Sequence, residues 1–241
     1  MRVLKAFTSS QTTWGITALA GHLEISKSST HRIVRTMAEE GLLDQDPDTG
    51  QYRLGLTMFD LAAAVPSHRG LHEAVLLPMT ELRYRTGETV QVGVLDGRQV
   101  VYVERLDSPN TLRMFTDLGR RTDAHCTGSG KALLAFAPKS RREQILDGWS
   151  LPRKTQHTIT SVQELRRELA RIRRRGFSEN RHESEIGVVS VAAPIRDSSG
   201  NCIAALSVAG PADRMDQTHD ATTEAVAVLA RTTSKRLGWS G

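Results

Sequence analysis

The sequence predicts an α+β chain: an N-terminal winged helix-turn-helix followed by a larger domain whose mixed or antiparallel sheet is layered with helices. Three observations predict it. Residues 16–54 run helix, break, helix, then two short strands around a strong turn; residues 89–106 and 188–208 each read as a pair of β-rich runs joined by tight-turn chemistry; and apolar patterns of helical period fill most of the remaining stretch from 71 to 237. Boundaries follow at 1–56 for the first domain, 57–70 for a connecting helix and boundary, and 71–241 for the second domain.

Val3, Leu4 and Phe7 give residues 2–7 an apolar helical face, and residues 9–15 read as a loop. Thr17 is a candidate cap for a helix in which Leu19, Ala20 and Leu23 share a face. Glu24 to Ser26 break that pattern, and Ser26 can cap a second helix from Lys27 to about Glu40. In this second helix Thr30, Ile33, Val34 and Met37 form an inward stripe. Ser28, Ser29, Arg32, Arg35 and Thr36 face outward, with Lys27 in the first turn. Short hydroxyls and cations, with no acid until Glu39, are the donors a helix needs to meet phosphates and base edges of double-stranded DNA. Gly41 stops the helix, Leu42 and Leu43 begin a strand, and Asp46-Pro47-Asp48-Thr49-Gly50 turns the chain into Gln51 to Leu54, where Arg53 supports a wing.

Leu56, Phe59 and Leu61 to Ala64 support a short connecting helix, and Pro66, Ser67 and Gly70 mark the boundary. Leu71, Val75, Met79 and Leu82 predict a helix to about Thr86 despite Pro78, with Gly87 as terminator. Thr89 to Leu95 and Gln99 to Leu106 form a hairpin around Asp96-Gly97, and Leu112 to Phe115 reads as another strand. A polar loop over 120–129 leads into a helix from Gly130 to Phe136, which Pro138 ends. Thr160 with Gln163, or Ser161 with Glu164, can open a helix bearing Val162, Leu165, Leu169 and Ile172 that stops before Gly176. Strands at Val188 to Ile195 and Cys202 to Val208 flank Asp197-Ser198-Ser199-Gly200, and Thr222 to Leu237 is a last helix.

The chain of 241 residues carries a formal net charge of +5, but residues 1–56 hold six Lys or Arg and six Asp or Glu. Any DNA contact of that segment therefore comes from local placement rather than bulk charge. Two cysteines fit a reducing cytoplasm and give no disulfide framework. No signal-peptide pattern and no apolar run of membrane-spanning length occurs, so no membrane partner is expected.

Few motifs carry chemistry. Gly128-Ser129-Gly130-Lys131-Ala132 fails as a phosphate loop, because His125 stands where the first glycine belongs and Ala132 where a hydroxyl belongs. His125 and Cys126 lack the ligand spacing of a metal site or the elements of a nucleophilic one, and read as a hydrogen-bonded loop histidine and a buried thiol. His182, Glu183 and Glu185 read as a polar loop able to line a pocket. Six arginines between 166 and 175 read as a solvated helix face, with Leu165, Leu169 and Ile172 turned inward. No catalytic residue, metal or cofactor is expected.

The whole chain resembles the IclR family of bacterial transcriptional regulators. The resemblance rests on Ser28-Ser29-Thr30-His31-Arg32, Asp48 to Gly55, Thr86-Gly87-Glu88-Thr89, His125-Cys126-Thr127 through Lys131-Ala132-Leu133-Leu134, Val191 to Pro194, and Ala205 to Gly210. It implies a winged helix-turn-helix, a linker helix and an effector-binding domain, a homodimer or tetramer on a partly palindromic operator, and a small-molecule effector, often an organic acid. Repression is expected ahead of activation, since operator occupancy alone blocks transcription. The resemblance implies an effector site built around His125 and Cys126, Asn180, Ser190, Ser207 and Ala209. At Asn180 the family often has an acid, at Ser190 a cysteine, and Ala209 lacks the hydroxyl of some carboxylate-binding members. Leu112, Met114, Leu118 and Ala124 could add an apolar wall for an aromatic or longer-chain acid. A retained enzymatic activity in the second domain, or a metabolite sensor that no longer binds DNA, are the alternatives.

Overall fold

The computed structural model describes residues 2–8, 10–64, 68–111, 119 and 121–241. They form two compact units, Met1–Arg69 and Gly70–Gly241.

The first unit contains α1 (Arg2–Lys5), α2 (Ile16–Leu23), α3 (Lys27–Glu39), the antiparallel pair β1 (Leu43–Gln45) and β2 (Tyr52–Leu54), and α4 (Thr57–Ala63). Its core joins Val3, Phe7, Leu19, Leu23, Val34, Leu43 and Tyr52. Polar ties close this small core: Arg2 Nη2 donates to the Leu23 carbonyl at the end of α2 (2.8 Å), and Trp14 Nε1 donates to the Ala6 carbonyl (2.9 Å). The Trp14 and Tyr52 backbones exchange hydrogen bonds of 2.9 and 2.8 Å, so the segment before α2 extends the wing. With the chain fixed there, α2 begins at Ile16 on Gly15, and Thr17 lies inside the helix rather than capping it. Glu24 takes the left-handed conformation that ends α2. Thr30 and Val34 of α3 are buried and Met37 half-buried, but Ile33, at the edge of the expected inward stripe, is 36% exposed. The wing turn is held by Asp46, whose Oδ1 accepts from the backbone N–H of Asp48 (3.0 Å) and Thr49 (2.8 Å) and from Thr49 Oγ1 (3.0 Å). Leu56, Phe59 and Leu61 around α4 are exposed.

The second unit is built on a six-stranded antiparallel sheet. Its strands are β3 (Thr89–Asp96), β4 (Gln99–Leu106), β5 (Arg121–Asp123), β6 (Ser178–Arg181), β7 (Val188–Arg196) and β8 (Cys202–Pro211), in the order β5-β4-β3-β8-β7-β6. Its helices are α5 (His68–Thr86), α6 (Gly128–Phe136), α7 (Lys139–Leu146), α8 (Val162–Arg175), α9 (Ala212–Gln217) and α10 (His219–Arg236). Alternation along the strands separates two cores. Val90, Val92, Val189, Val191, Leu206 and Val208 face one way and pack with Val75, Met79 and Leu82 of α5 and Val226 and Leu229 of α10. Val100, Tyr102, Ala192 and Ala205 belong to the other core, with Leu133 and Leu134 of α6 and Leu165, Leu169 and Ile172 of α8.

Small residues let α6 lie against the sheet. A Cβ on Gly128 would stand 2.8 Å from Ser190 Oγ and 3.2 Å from the Ser190 carbonyl oxygen, and one on Gly130 would collide with the Ala124 backbone. Ser161 opens α8 by accepting from Glu164 N, and Gly176 closes it at φ +87°. Several elements differ from expectation. Residues 121–126 form an edge strand and a 3-10 turn instead of a loop, and α6 starts at Gly128. α7, β6 and α9 were not expected at all. The strand expected over Leu112 to Phe115, and Pro66 and Ser67 of the boundary, lie outside the described residues.

Candidate DNA interface and ligand cavity

In the first unit α3 presents its polar side outward. Ser26 accepts from Ser29 N (3.2 Å) and donates to Ser29 Oγ (2.8 Å), so Ser29 is drawn into the helix cap while Lys27 and Ser28 stay exposed. Thr36 Oγ1 is turned back onto the Arg32 carbonyl (3.1 Å), and Arg35 Nε donates to Glu39 Oε1 (2.9 Å). Arg32 projects with no ion pair among the described residues. Arg53 on the wing reaches Asp44 only loosely, at 3.9 Å. His31, which the sequence reading left out of its DNA contacts, is exposed and lines a surface depression with Ile16, Lys27 and Ser28.

In the second unit a cavity of about 470 Å³ opens between the sheet, the start of α6 and the 182–187 loop. Its floor is the polar end of a sheet face that is apolar under α6. Cross-strand pairing sets Asn180 opposite Ser190 and Ser190 opposite Ala209, and sets Ser207 opposite Gln91. Ser129 Oγ donates to Ser207 Oγ (2.9 Å), and Ser207 Oγ donates to the Gln91 carbonyl (3.3 Å). One wall is Cys126, Thr127 and Ser129, with Thr127 Oγ1 capping α6 by accepting from Gly130 N (3.2 Å). The opposite wall is organised by Asn180, whose Oδ1 accepts from Glu183 N (2.8 Å) and whose Nδ2 donates to Ser184 Oγ (2.9 Å). Behind this loop, Lys131 Nζ donates to the Glu183 carboxylate in a pair removed from solvent, and Thr158 Oγ1 donates to the Glu183 carbonyl (2.6 Å).

Among the described lining residues are two cations, Arg121 and Lys154, and two acids, Asp123 and Glu185, and each cation is paired with an acid. Arg121 pairs with Asp96 (2.6 Å) and Lys154 with Asp123 (2.8 Å). The hydrogen bond from Lys154 to Asp123 lifts the ammonium above its ordinary range. Burial pushes the Cys126 thiol up to about 12, so it stays a protonated thiol at neutral pH. His125 is held below the ordinary imidazole range, chiefly by burial. Its Nε2 hydrogen-bonds the Pro152 carbonyl (3.0 Å), its ring meets Trp149 edge-on at 5.4 Å, and Nδ1 is buried with no hydrogen-bond partner among the described residues. Among the described residues no group of three or more His, Cys, Asp or Glu could hold a metal ion, and no helix is long and apolar enough to cross a membrane.

Residues 63–235 match the bacterial transcriptional regulator IclR C-terminal family, and residues 1–47 match the IclR helix-turn-helix domain. The chain belongs to the IclR family. It is thereby a DNA-binding transcriptional regulator and not an enzyme. It is 35% identical over 228 residues to the HTH-type transcriptional regulator KdgR of Escherichia coli K12, covering 93% of this chain and 86% of that protein. It is 32% identical over 216 residues to XynR of the same organism, covering 90% and 86%. Among solved structures, an IclR homologue from Microbacterium hydrocarbonoxydans complexed with 4-hydroxybenzoate is 30% identical, with a TM-score of 0.88 and coverage of 98% and 96%. The Thermotoga maritima IclR is 27% identical, with a TM-score of 0.80 and coverage of 99% and 96%.

For this IclR-family chain, the expected ligand positions divide into three groups. Cys126, Asn180, Ser190, Ser207 and Ala209 line the cavity together. Ala124 and His125 do not line it; Ala124 is packed against Gly130, and His125 is turned toward Trp149. Leu112, Met114 and Leu118 lie outside the described residues. The sequence reading missed Gln91, Thr127, Ser129, Arg121, Lys154 and Ser184. One signal was available for Gln91: like Ser190 and Ser207, it is a polar residue at an alternate position of an otherwise apolar strand.

Proposed function

We propose that the protein is a transcriptional repressor released from its operator by a small hydroxylated carboxylic acid. The observation that carries this reading is the cavity floor, where Gln91, Ser190, Ser207 and Asn180 put neutral donors and acceptors on a sheet face that is apolar elsewhere. Buried polar groups of this kind discriminate strongly for ligands that pair with them. The start of α6 favours a carboxylate at one end of the ligand. The Microbacterium relative bound to 4-hydroxybenzoate supports a carboxylate as the shared feature. The lining here favours several hydroxyls over an aromatic ring, because Tyr102 is the one aromatic side chain among the described lining residues.

On the DNA side, Arg32, Lys27 and Ser28 would meet bases and phosphates from α3, Ser29, Arg35 and Thr36 would support them, and Arg53 would lean the wing on the backbone. A homodimer, or a tetramer of two dimers, would bring two such helices to paired half-sites. The reading helices of 1–56 would be joined to the ligand domain of 71–241 through the linker of 57–70. The ligand would shift DNA occupancy by no more than its differential affinity for the two states. Such a regulator works where the chromosome is, in the cytoplasm, with no membrane partner.

Isothermal titration of the full chain with gluconate and with 4-hydroxybenzoate tests the ligand class. The proposal expects gluconate to bind, and expects Ser207→Val to weaken it by roughly 5- to 100-fold, the cost of leaving polar partners unmatched. Binding of 4-hydroxybenzoate alone, unaffected by Ser207→Val, would reject the hydroxylated class.

A further inference from the structure

The surface formed by α7 and α8 concentrates positive charge beyond the arginines that tie it to the fold, such as Arg142 on the Ala135 and Ala137 carbonyls and Arg175 on the Phe177 carbonyl. The two helices hold nine Lys or Arg and three Glu, a net of +6 in a chain whose total is +5. The rest of the chain therefore nets to −1, and the segment containing the DNA-reading helix is neutral. The two helices present one surface, because Arg166 donates to Glu143 from both Nε (3.1 Å) and Nη2 (2.7 Å). On α8 the buried Leu165, Leu169 and Ile172 place Arg167, Arg171 and Arg174, spaced four and three residues apart, on the opposite, exposed side. The local acids do not neutralise this face. Glu168 is shared between Arg171 (3.5 Å) and Arg175 (3.0 Å), while Arg167 and Arg174 make no ion pair among the described residues. Arg173 is held below the usual guanidinium range by partial burial and then by the neighbouring Arg142, a crowding of like charges that a bound anion would relieve.

We propose that the outer face of α8, with α7 beside it, is a second and sequence-independent contact for the phosphate backbone of duplex DNA, distinct from the base-reading helix. Two features favour DNA over an acidic protein. Guanidinium forks match phosphate oxygens in bidentate geometry. Protein interfaces centre on apolar anchors, and among the described residues the exposed large apolar side chains all lie outside α7 and α8.

The test uses the full chain and a long random-sequence duplex, because a backbone contact needs no operator. Binding is titrated by fluorescence anisotropy across salt concentrations for the wild type, Arg167→Gln/Arg171→Gln/Arg174→Gln, and the corresponding triple lysine variant. Each lost phosphate contact lowers the slope of log K against log salt by about 0.9, so the glutamine variant should lose about 2.7 of slope. Between 50 and 200 mM salt the wild type should then weaken about 40-fold more than the variant. The lysine variant should keep the wild-type slope, and single Arg167→Gln and Arg174→Gln variants should each remove about 0.9. Equal slopes for wild type and glutamine variants overturn the proposal. In a parallel titration with polyglutamate, loss of binding by the glutamine variant with an unchanged DNA slope overturns it too, and assigns the surface to an acidic protein. Failure of the wild type to bind any duplex would overturn DNA binding itself as well.

Discussion

Lys131→Met should be among the most destabilising single substitutions in the second unit. Lys131 is 2% exposed at its side chain and Glu183 is 11% exposed, and Glu183 Oε2 has no hydrogen-bond partner among the described residues. Burial already raises the Glu183 carboxyl above its ordinary range, opposed by Lys131. Removing the ammonium takes away the main charge that offsets the desolvation of the carboxylate and leaves it only the backbone N–H of Arg181, a loss of about 3–5 kcal/mol. With a urea m-value of about 2 kcal/mol/M, the midpoint should fall by about 2 M. The sign of the pH dependence follows from the raised folded-state pKa. In the variant, Glu183 is protonated in both states below the ordinary carboxyl value near 4.3, where the penalty is smallest, and stability is lost as pH rises through the folded value. Lys131→Met/Glu183→Leu should recover most of the loss, since replacing both members of a buried pair is often neutral. Urea unfolding at pH 5 and pH 8 checks this. A cost below about 1 kcal/mol at pH 8, or a double variant no more stable than the single, would refute the reasoning.

Arg32→Ala should weaken specific DNA binding by about 1–3 kcal/mol. Arg35→Ala should cost less, because its guanidinium is engaged with Glu39 (2.9 Å); a gel-shift series compares them, and equal losses would contradict the difference. His125, held low by burial, should contribute stability that is full above the ordinary imidazole value and lost as pH falls through the folded value, and His125→Phe should flatten that limb of the urea profile between pH 7 and 5. The buried thiol of Cys126, pushed up to about 12, should react with a disulfide reagent at pH 8 about a thousandfold more slowly in the native protein than in urea. Rapid native labelling would show that the cavity wall opens.

The elements legible in the sequence were those whose apolar pattern or turn chemistry is local. β7 and β8 are long β-branched and alanine-rich runs around Asp197 to Gly200, and α8 has three fully buried residues at helical spacing between a serine cap and a glycine stop. The elements missed lack such a pattern. α7 buries only Leu146 along Lys139–Leu146, and β6 is the polar edge strand Ser178–Arg181, recognisable only once it pairs with β7. The cavity was half legible for a related reason. Asn180, Ser190, Ser207 and Ala209 were suggested by family resemblance, whereas Lys154, Ser129 and Gln91 reach the same space from separate elements, a convergence no local pattern encodes. His125 reads from the sequence alone as a hydrogen-bonded loop histidine, and its Nε2 meets the Pro152 carbonyl at 3.0 Å; the ligand role that the family resemblance implies for it has no place in the cavity lining, because the 3-10 turn over Ala124–Cys126 sends the imidazole toward Trp149.

The most direct test of the central claim is an anisotropy titration of the purified protein and Arg32→Ala against the duplex upstream of its own gene and a scrambled duplex, at several salt concentrations. If α3 reads an operator there, the wild type should bind the promoter duplex on the order of a thousandfold or more tighter than the scrambled one, and Arg32→Ala should erase most of that preference. Equal, weak and steeply salt-dependent binding to both duplexes, unchanged by Arg32→Ala, would contradict it.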